Sequence, residues 1–198
     1  MDVFEAIHTT RAMRRLDPSR RVSEADLRTI IEAATKAPSG KNSQPTRWIV
    51  VTDPEVRRQL GDVYRRCAAS LMDDSEEPSL ARSARHLIEH FGEAPALMVA
   101  CCEGAGQRPA SVFPAVQNAM LAARALGLGT TLTTSHLQDE PAIKRILNIP
   151  DEVNTYCIIP VGYPLGRWGE AIRKPVEEVA YRDRWGNALN ITVHRQPR

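Results

Sequence analysis

The sequence is poor in the features that most directly announce a function. Aromatic residues fill 5 % of its 198 positions, and basic and acidic side chains nearly cancel, 26 against 24, for a net charge of +2. Polyanion binding calls for a strong basic excess. The five arginines between Arg11 and Arg21 are offset by acids elsewhere and have no interleaved aromatics to stack on bases, so nucleic acid is not an expected partner. No apolar run approaches the roughly 18 residues of a membrane span. The longest, Ala96 to Cys102 and Cys157 to Val161, have the length of buried strands. Asp2 and Glu5 stand where a secretory leader needs positive charge, which points to the cytoplasm with no membrane partner. Cys67, Cys101, Cys102 and Cys157 show no CxxC spacing and read as reduced and buried. His86 and His90, four residues apart, lack a further ligand pair, so no metal site is expected. There is no P-loop, no GxSxG and no three-glycine dinucleotide fingerprint, hence no catalytic nucleophile or acid stands out.

What is present is an average soluble composition, 42 % hydrophobic and 25 % charged, enough for one core in a single domain over residues 1–198. Asp2 to His8 reads as a short helix with Val3, Phe4 and Ile7 on its apolar side. Ser23, followed three residues later by Asp26, caps a second helix carrying Leu27, Ile30, Ile31 and Ala34, with Pro38 beyond its end. Trp48 to Val51 is a strand, and Asp53-Pro54 opens a helix through Tyr64. The acidic stretch from Asp73 to Glu77 reads as an exposed loop. A helix over Ala81 to His90 leads into the strand Leu97 to Cys102. Phe113 to Leu126, with Arg124 its only charge, is a helix apolar on most faces. Gly127 and Gly129 stop it before a β-prone stretch, Thr130 to Thr134, and a further helix and the strand Thr155 to Val161 follow. The tail, residues 165–198, is weakly periodic yet holds Trp168, Tyr181, Trp185 and Ile191. It is expected to wrap over another surface, a second subunit.

Four local groupings carry chemistry. If the first helix continues, Arg11, Arg14 and Arg15 share one face, either as a phosphate clamp or as a solvated basic helix end. The segment Ala37 to Pro45 is dense in hydroxyls, amides and backbone-permissive residues, which suits a planar heterocycle or a simple turn. Thr130, Thr131, Thr133, Thr134 and Ser135 form a hydroxyl-rich strip. Arg173-Lys174-Pro175 follows Gly162-Tyr163-Pro164 and, alone, reads as exposed tail charge.

Taken in order, these pieces resemble the FMN-dependent nitroreductases. The likeness runs through Arg11-Ala12-Met13-Arg14-Arg15-Leu16, Ala37 to Pro45, Ala125-Leu126-Gly127-Leu128-Gly129-Thr130, Gly162-Tyr163-Pro164, and Arg173-Lys174-Pro175 with Glu177-Glu178-Val179. It implies an α+β fold with a mixed central sheet flanked by helices. It also implies an intertwined homodimer with an extended C-terminal tail and two FMN molecules at the interface. Arg11, Ala12, Met13, Arg14 and Arg15 are then cofactor-binding, with Arg11, either Arg14 or Arg15, and the tail's Arg173 forming the phosphate clamp. Pro38, Ser39, Gly40, Asn42 and Gln44 reach the flavin from the other subunit, and Thr133, Thr134 and Ser135 lie along its ring. The implied activity is ping-pong hydride transfer from NADH or NADPH to a small nitroaromatic, quinone or similar electron-poor acceptor, with FMN storage or redox sensing as the alternative. Thr10 stands where such proteins often have a further Arg, Ala12 where they have Ser, and Thr46 where an aromatic often follows Gln-Pro.

Overall fold

The computed structural model describes residues 1–69, 78–104 and 108–189. Along the chain run α1 (Val3–Thr9), α2 (Glu24–Thr35), β1 (Thr46–Val51), α3 (Pro54–Ala69), α4 (Pro78–His90), β2 (Ala96–Cys102), α5 (Pro109–Ala125), β3 (Gly129–Thr130), α6 (Glu140–Leu147), β4 (Asn154–Gly162) and α7 (Val176–Val179). Short 3₁₀ turns occupy Gly40–Asn42, Phe91–Glu93 and Ser135–Asp139. The acidic stretch Asp73 to Glu77 and the tail residue Ile191 lie outside the described residues.

The architecture is α+β. The strands pair in the order β1-β2-β4-β3, each pair antiparallel. A mixed sheet was the expectation; the parallel component among the described residues is the lone bridge between Ala12 and Thr130. Two helices, α3 and α4, stand between β1 and β2 and reverse the chain, where a single crossover helix would have kept its direction. Every residue of β2 is buried, because successive side chains point to opposite faces and both faces are covered. Met98, Ala100 and Cys102 pack with Ile30 of α2 and Val116 and Ala119 of α5. Leu97, Val99 and Cys101 pack with Leu60 and Tyr64 of α3, Phe91 and Ile143 of α6.

Local signals set the helix starts. The Ser23 hydroxyl oxygen accepts from the Asp26 amide at 3.0 Å, and one Asp53 carboxylate oxygen accepts from the Glu55 and Val56 amides at 2.9 Å each. Gly61 and Gly92 let α3 and the turn after α4 meet. A Cβ at Gly61 would stand 2.9 Å from the Gly92 backbone.

Helix α1 behaves differently from the sequence expectation in two ways. Its apolar side faces outward: Val3, Phe4 and Ile7 are 58, 59 and 50 % exposed, and only Ala6 is buried. It also stops at Thr9, before the arginines. Thr9 and Thr10 hydroxyls donate back to the Glu5 and Ala6 carbonyls at 2.7 and 2.6 Å, and Thr10 turns extended at φ −67°, ψ 125°. At the other end, Trp168 packs on Arg124, but Ile172 and Trp185 are 97 and 89 % exposed.

Candidate functional site

Because α1 ends early, Arg11 to Leu16 is not helical and the three arginines share no helix face. The segment is held in extended form along β3. Ala12 bridges Thr130 in parallel sense, the Met13 amide donates to the Thr130 carbonyl at 2.9 Å, and the Thr131 hydroxyl donates to the Met13 carbonyl at 2.8 Å. Gly129 permits this approach, since a Cβ there would lie 2.7 Å from the Met13 Cβ. Further along, the Leu165 amide donates to the Arg15 carbonyl at 3.0 Å and the Asp17 amide to the Tyr163 carbonyl at 2.8 Å. Met13 is buried, Arg14 half-buried, and Arg11, Ala12 and Arg15 exposed.

This docking brings Arg14 onto the hydroxyl-rich strip. Arg14, Tyr64 and Ala68 of α3, Ala84, Leu87 and Ile88 of α4, and residues 131–135 line one cleft of about 250 Å³. Arg15 does not line it. Thr133 is spent on anchoring: its hydroxyl donates to the Ile158 carbonyl at 2.6 Å, and the two backbones exchange hydrogen bonds at 3.0 and 3.2 Å. Thr134 is exposed and Ser135 half-buried. Tyr64, which periodicity alone reads as one more apolar helix position, is a member of the cleft. Its ring stacks on Phe91 at 3.8 Å between centroids, and its hydroxyl lies near the Ser135 side chain. Burial raises the Tyr64 pKa against the opposing effects of Ser135 and the nearby Arg14, so the phenol stays protonated and able to donate.

Below the strip sits His136, fully buried. The Thr155 hydroxyl has one proton, which goes to the Glu140 carboxylate at 2.8 Å, so it must accept from His136 Nε2 at 3.1 Å. The imidazole is thereby fixed with its proton on Nε2, and Nδ1 has no partner. Burial pushes its pKa down to about 4, with Glu140 opposing, so the ring is neutral at neutral pH.

The amide-rich loop lies apart from this cleft. Ser39 and Gln44 line a separate pocket of about 160 Å³ with Arg47, Trp48 and Ser111. The Gln44 amide donates to the Ser39 hydroxyl oxygen at 2.9 Å and the Gly40 amide to Ser111 at 3.2 Å. Lys41, Asn42 and Gln44 have φ of 54°, 52° and 46°, left-handed conformations that side chains resist. Pro38, Gly40 and Asn42 are exposed. Arg173 stands exposed on the tail, with Nη1 on its own neighbour's carbonyl, Ile172, at 2.9 Å. A single chain thus joins Arg14 to Thr133–Ser135 and leaves Pro38–Gln44 and Arg173 elsewhere on its surface.

Among the described residues no group of three or more His, Cys, Asp or Glu could hold a metal ion, and no helix is long and apolar enough to cross a membrane. All four cysteines are buried, and burial pushes the Cys101 and Cys157 thiols up to about 12.

The model of the Nitroreductase family matches residues 7–163. A protein of Methanothermobacter thermautotrophicus named for NADH dehydrogenase and NAD(P)H nitroreductase is 30 % identical over 171 residues, 83 % of this chain and 78 % of that one. An iodotyrosine deiodinase of Thermotoga neapolitana is 30 % identical over 148 residues, 70 % of this chain and 76 % of its own. The crystal structure of an oxidized iodotyrosine deiodinase bound to FMN and 3-iodo-L-tyrosine superposes with a TM-score of 0.76 at 27 % identity, covering 88 % of this chain and 96 % of that one.

Proposed function

The chain belongs to the nitroreductase family, and on that premise we propose that it is an FMN-dependent oxidoreductase that takes hydride from NADH or NADPH and reduces a small electron-poor acceptor, such as a nitroaromatic or a quinone. The observation that carries this reading is the cleft in which Arg14 meets the Thr131–Ser135 strip and Tyr64. Its donor set suits a flavin. Arg14 has no carboxylate partner among the described residues, Tyr64 and Ser135 offer hydroxyls, and Ala68, Ala84, Leu87 and Ile88 supply an apolar wall for a planar ring.

FMN, when bound, supplies the redox chemistry, accepting hydride and passing electrons on. The protein's part is binding and electrostatics. Arg14 would offer the bound flavin a fixed positive charge, and the Thr133 hydroxyl, held by the Ile158 carbonyl, orients the strip in advance. No side chain of the cleft needs to act as nucleophile.

The site is completed by a second copy of the chain. The outward apolar side of α1, with Phe113, Leu126, Ile172 and Trp185 also exposed, supports a homodimer. In that assembly Pro38, Ser39, Gly40, Asn42 and Gln44 would come from one chain to the cleft of the other, with Arg173 of the tail on the phosphate side. Four buried thiols support a reducing, cytoplasmic setting. The test is reconstitution with FMN: retention of about one flavin per chain in a dimer, with NAD(P)H oxidation dependent on a nitro or quinone acceptor, is expected. A protein that binds FMN but never reacts with NADH or NADPH would instead be a flavin store or sensor.

A further inference from the structure

Arg124 stands in the last turn of α5, a position where an arginine ordinarily faces water and merely complements the helix dipole. Here it is only 8 % exposed. Its Nε donates to the Thr9 hydroxyl oxygen at 2.9 Å, and that hydroxyl's own proton is already given to the Glu5 carbonyl. The guanidinium carbon lies 4.2 Å from the centre of the Trp168 ring. These two contacts fix the plane of the group. Its terminal amino groups have no hydrogen-bond acceptor among the described residues, and no carboxylate there pairs with it. Those amino groups still reach the surface while the rest of the side chain is packed, so the free side of the fork is open to an anion.

A second cation approaches the same corner. Arg11 carries its Nη1 to Gly169, the residue after Trp168, at 4.0 Å from where a side chain would begin. Arg11 has no carboxylate partner among the described residues either. Two guanidinium groups from distant parts of the chain therefore lie against consecutive tail residues, neither paired with a carboxylate among the described residues. Their forked N–H donors match the oxygens of a phosphate.

We propose that Arg124, together with Arg11, holds the phosphate of the bound flavin nucleotide. The inference rests on the FMN reading above and extends it to a residue outside the cleft. Arg11 lies three residues before Arg14, so an extended segment of at most about 10 Å links the two positions. A ribityl chain ending in a phosphate ester has that order of length. Met13, tied to Thr130, keeps the segment in place between them.

The experiment compares FMN with riboflavin, which differ only in the phosphate. Both are titrated into the flavin-stripped full-length protein and into Arg124→Met, which keeps the unbranched stem against Trp168 and removes the charge. FMN affinity should fall about ten- to hundredfold in the variant while riboflavin affinity stays unchanged. Arg124→Lys should recover part of the loss. Equal weakening of both flavins, or no weakening of FMN, overturns the proposal. So does a variant whose dimer dissociates while its preference for FMN over riboflavin persists, since Arg124 would then answer a carboxylate of the partner subunit. If the unmodified protein binds neither flavin, the FMN reading itself fails, a result distinct from all of these. Thermal melts of both variants report whether the fold is intact.

Discussion

The Met13 amide and the Thr130 carbonyl share a hydrogen bond of 2.9 Å, although 116 residues separate them once 13 is taken from 130 and the pair itself excluded. That bond and its neighbour from Thr131 to the Met13 carbonyl lay the arginine-rich segment along β3. The cleft exists because of this contact. Arg14 is aimed by the residue before it, and the hydroxyl strip begins at the residue after Thr130.

Gly129 is the weak point of that contact. In Gly129→Ala the new methyl would meet the Met13 Cβ at 2.7 Å, an atom that cannot rotate away, so the segment must shift. A loss of about 1–3 kcal/mol in stability is expected, as for other overpacked sites. Weaker FMN retention should accompany it. Denaturant unfolding and flavin titration of the variant check both.

Tyr64 separates a packing role from a polar one. Tyr64→Phe keeps the ring on Phe91 and removes the hydroxyl from Ser135, so stability should change by about 1 kcal/mol. The bound flavin's visible spectrum and reduction potential should shift, because the cleft loses a hydroxyl. Tyr64→Ala also opens a cavity and should cost about 3–5 kcal/mol. A Phe variant with an unaltered flavin spectrum and potential would remove Tyr64 from the site.

His136 makes stability depend on pH in a defined window. Its pKa is about 4 in the fold against 6.5 when unperturbed, so between those values the unfolded chain binds the proton that the folded one refuses. Stability is fully present above pH 6.5 and falls as the pH drops toward 4, by roughly 3 kcal/mol from this group. His136→Gln should flatten that part of the curve. Unfolding free energies of both proteins from pH 7 to 4 give the difference directly.

Much of this was legible in the sequence, and the gaps have physical causes. Cap residues such as Ser23 and Asp53 act within three residues of themselves, so the helix starts could be read locally. The buried strands announced themselves as unbroken apolar runs. Arginine-rich Arg11 to Arg15 favours a helix by composition, but the hydroxyls of Thr9 and Thr10 turn back on Glu5 and Ala6, and β3 captures the extended segment. Tyr64, His136 and Arg124 carry no local signal of a special role, because each looks like an ordinary helix, loop or helix-end residue. Their surroundings come from Ser135, Thr155 and Trp168, which only the tertiary fold brings near.

The thiols offer an independent check of the core. Burial holds Cys101 and Cys157 protonated, with pKa values near about 12, so neither should be alkylated in the folded protein at pH 8. Both should react once the chain is unfolded. Peptide mapping after iodoacetamide treatment of the folded and the unfolded protein checks both.

The most direct measurement is an anaerobic titration of the FMN-loaded dimer with NADH and, separately, NADPH, followed by a nitroaromatic or quinone. Bleaching of the flavin by at least one of the two nicotinamides, and return of its colour on adding the acceptor without oxygen, is the predicted result. A flavin that stays oxidized with both donors, or a reduced flavin that no such acceptor reoxidizes, would contradict the proposed oxidoreductase.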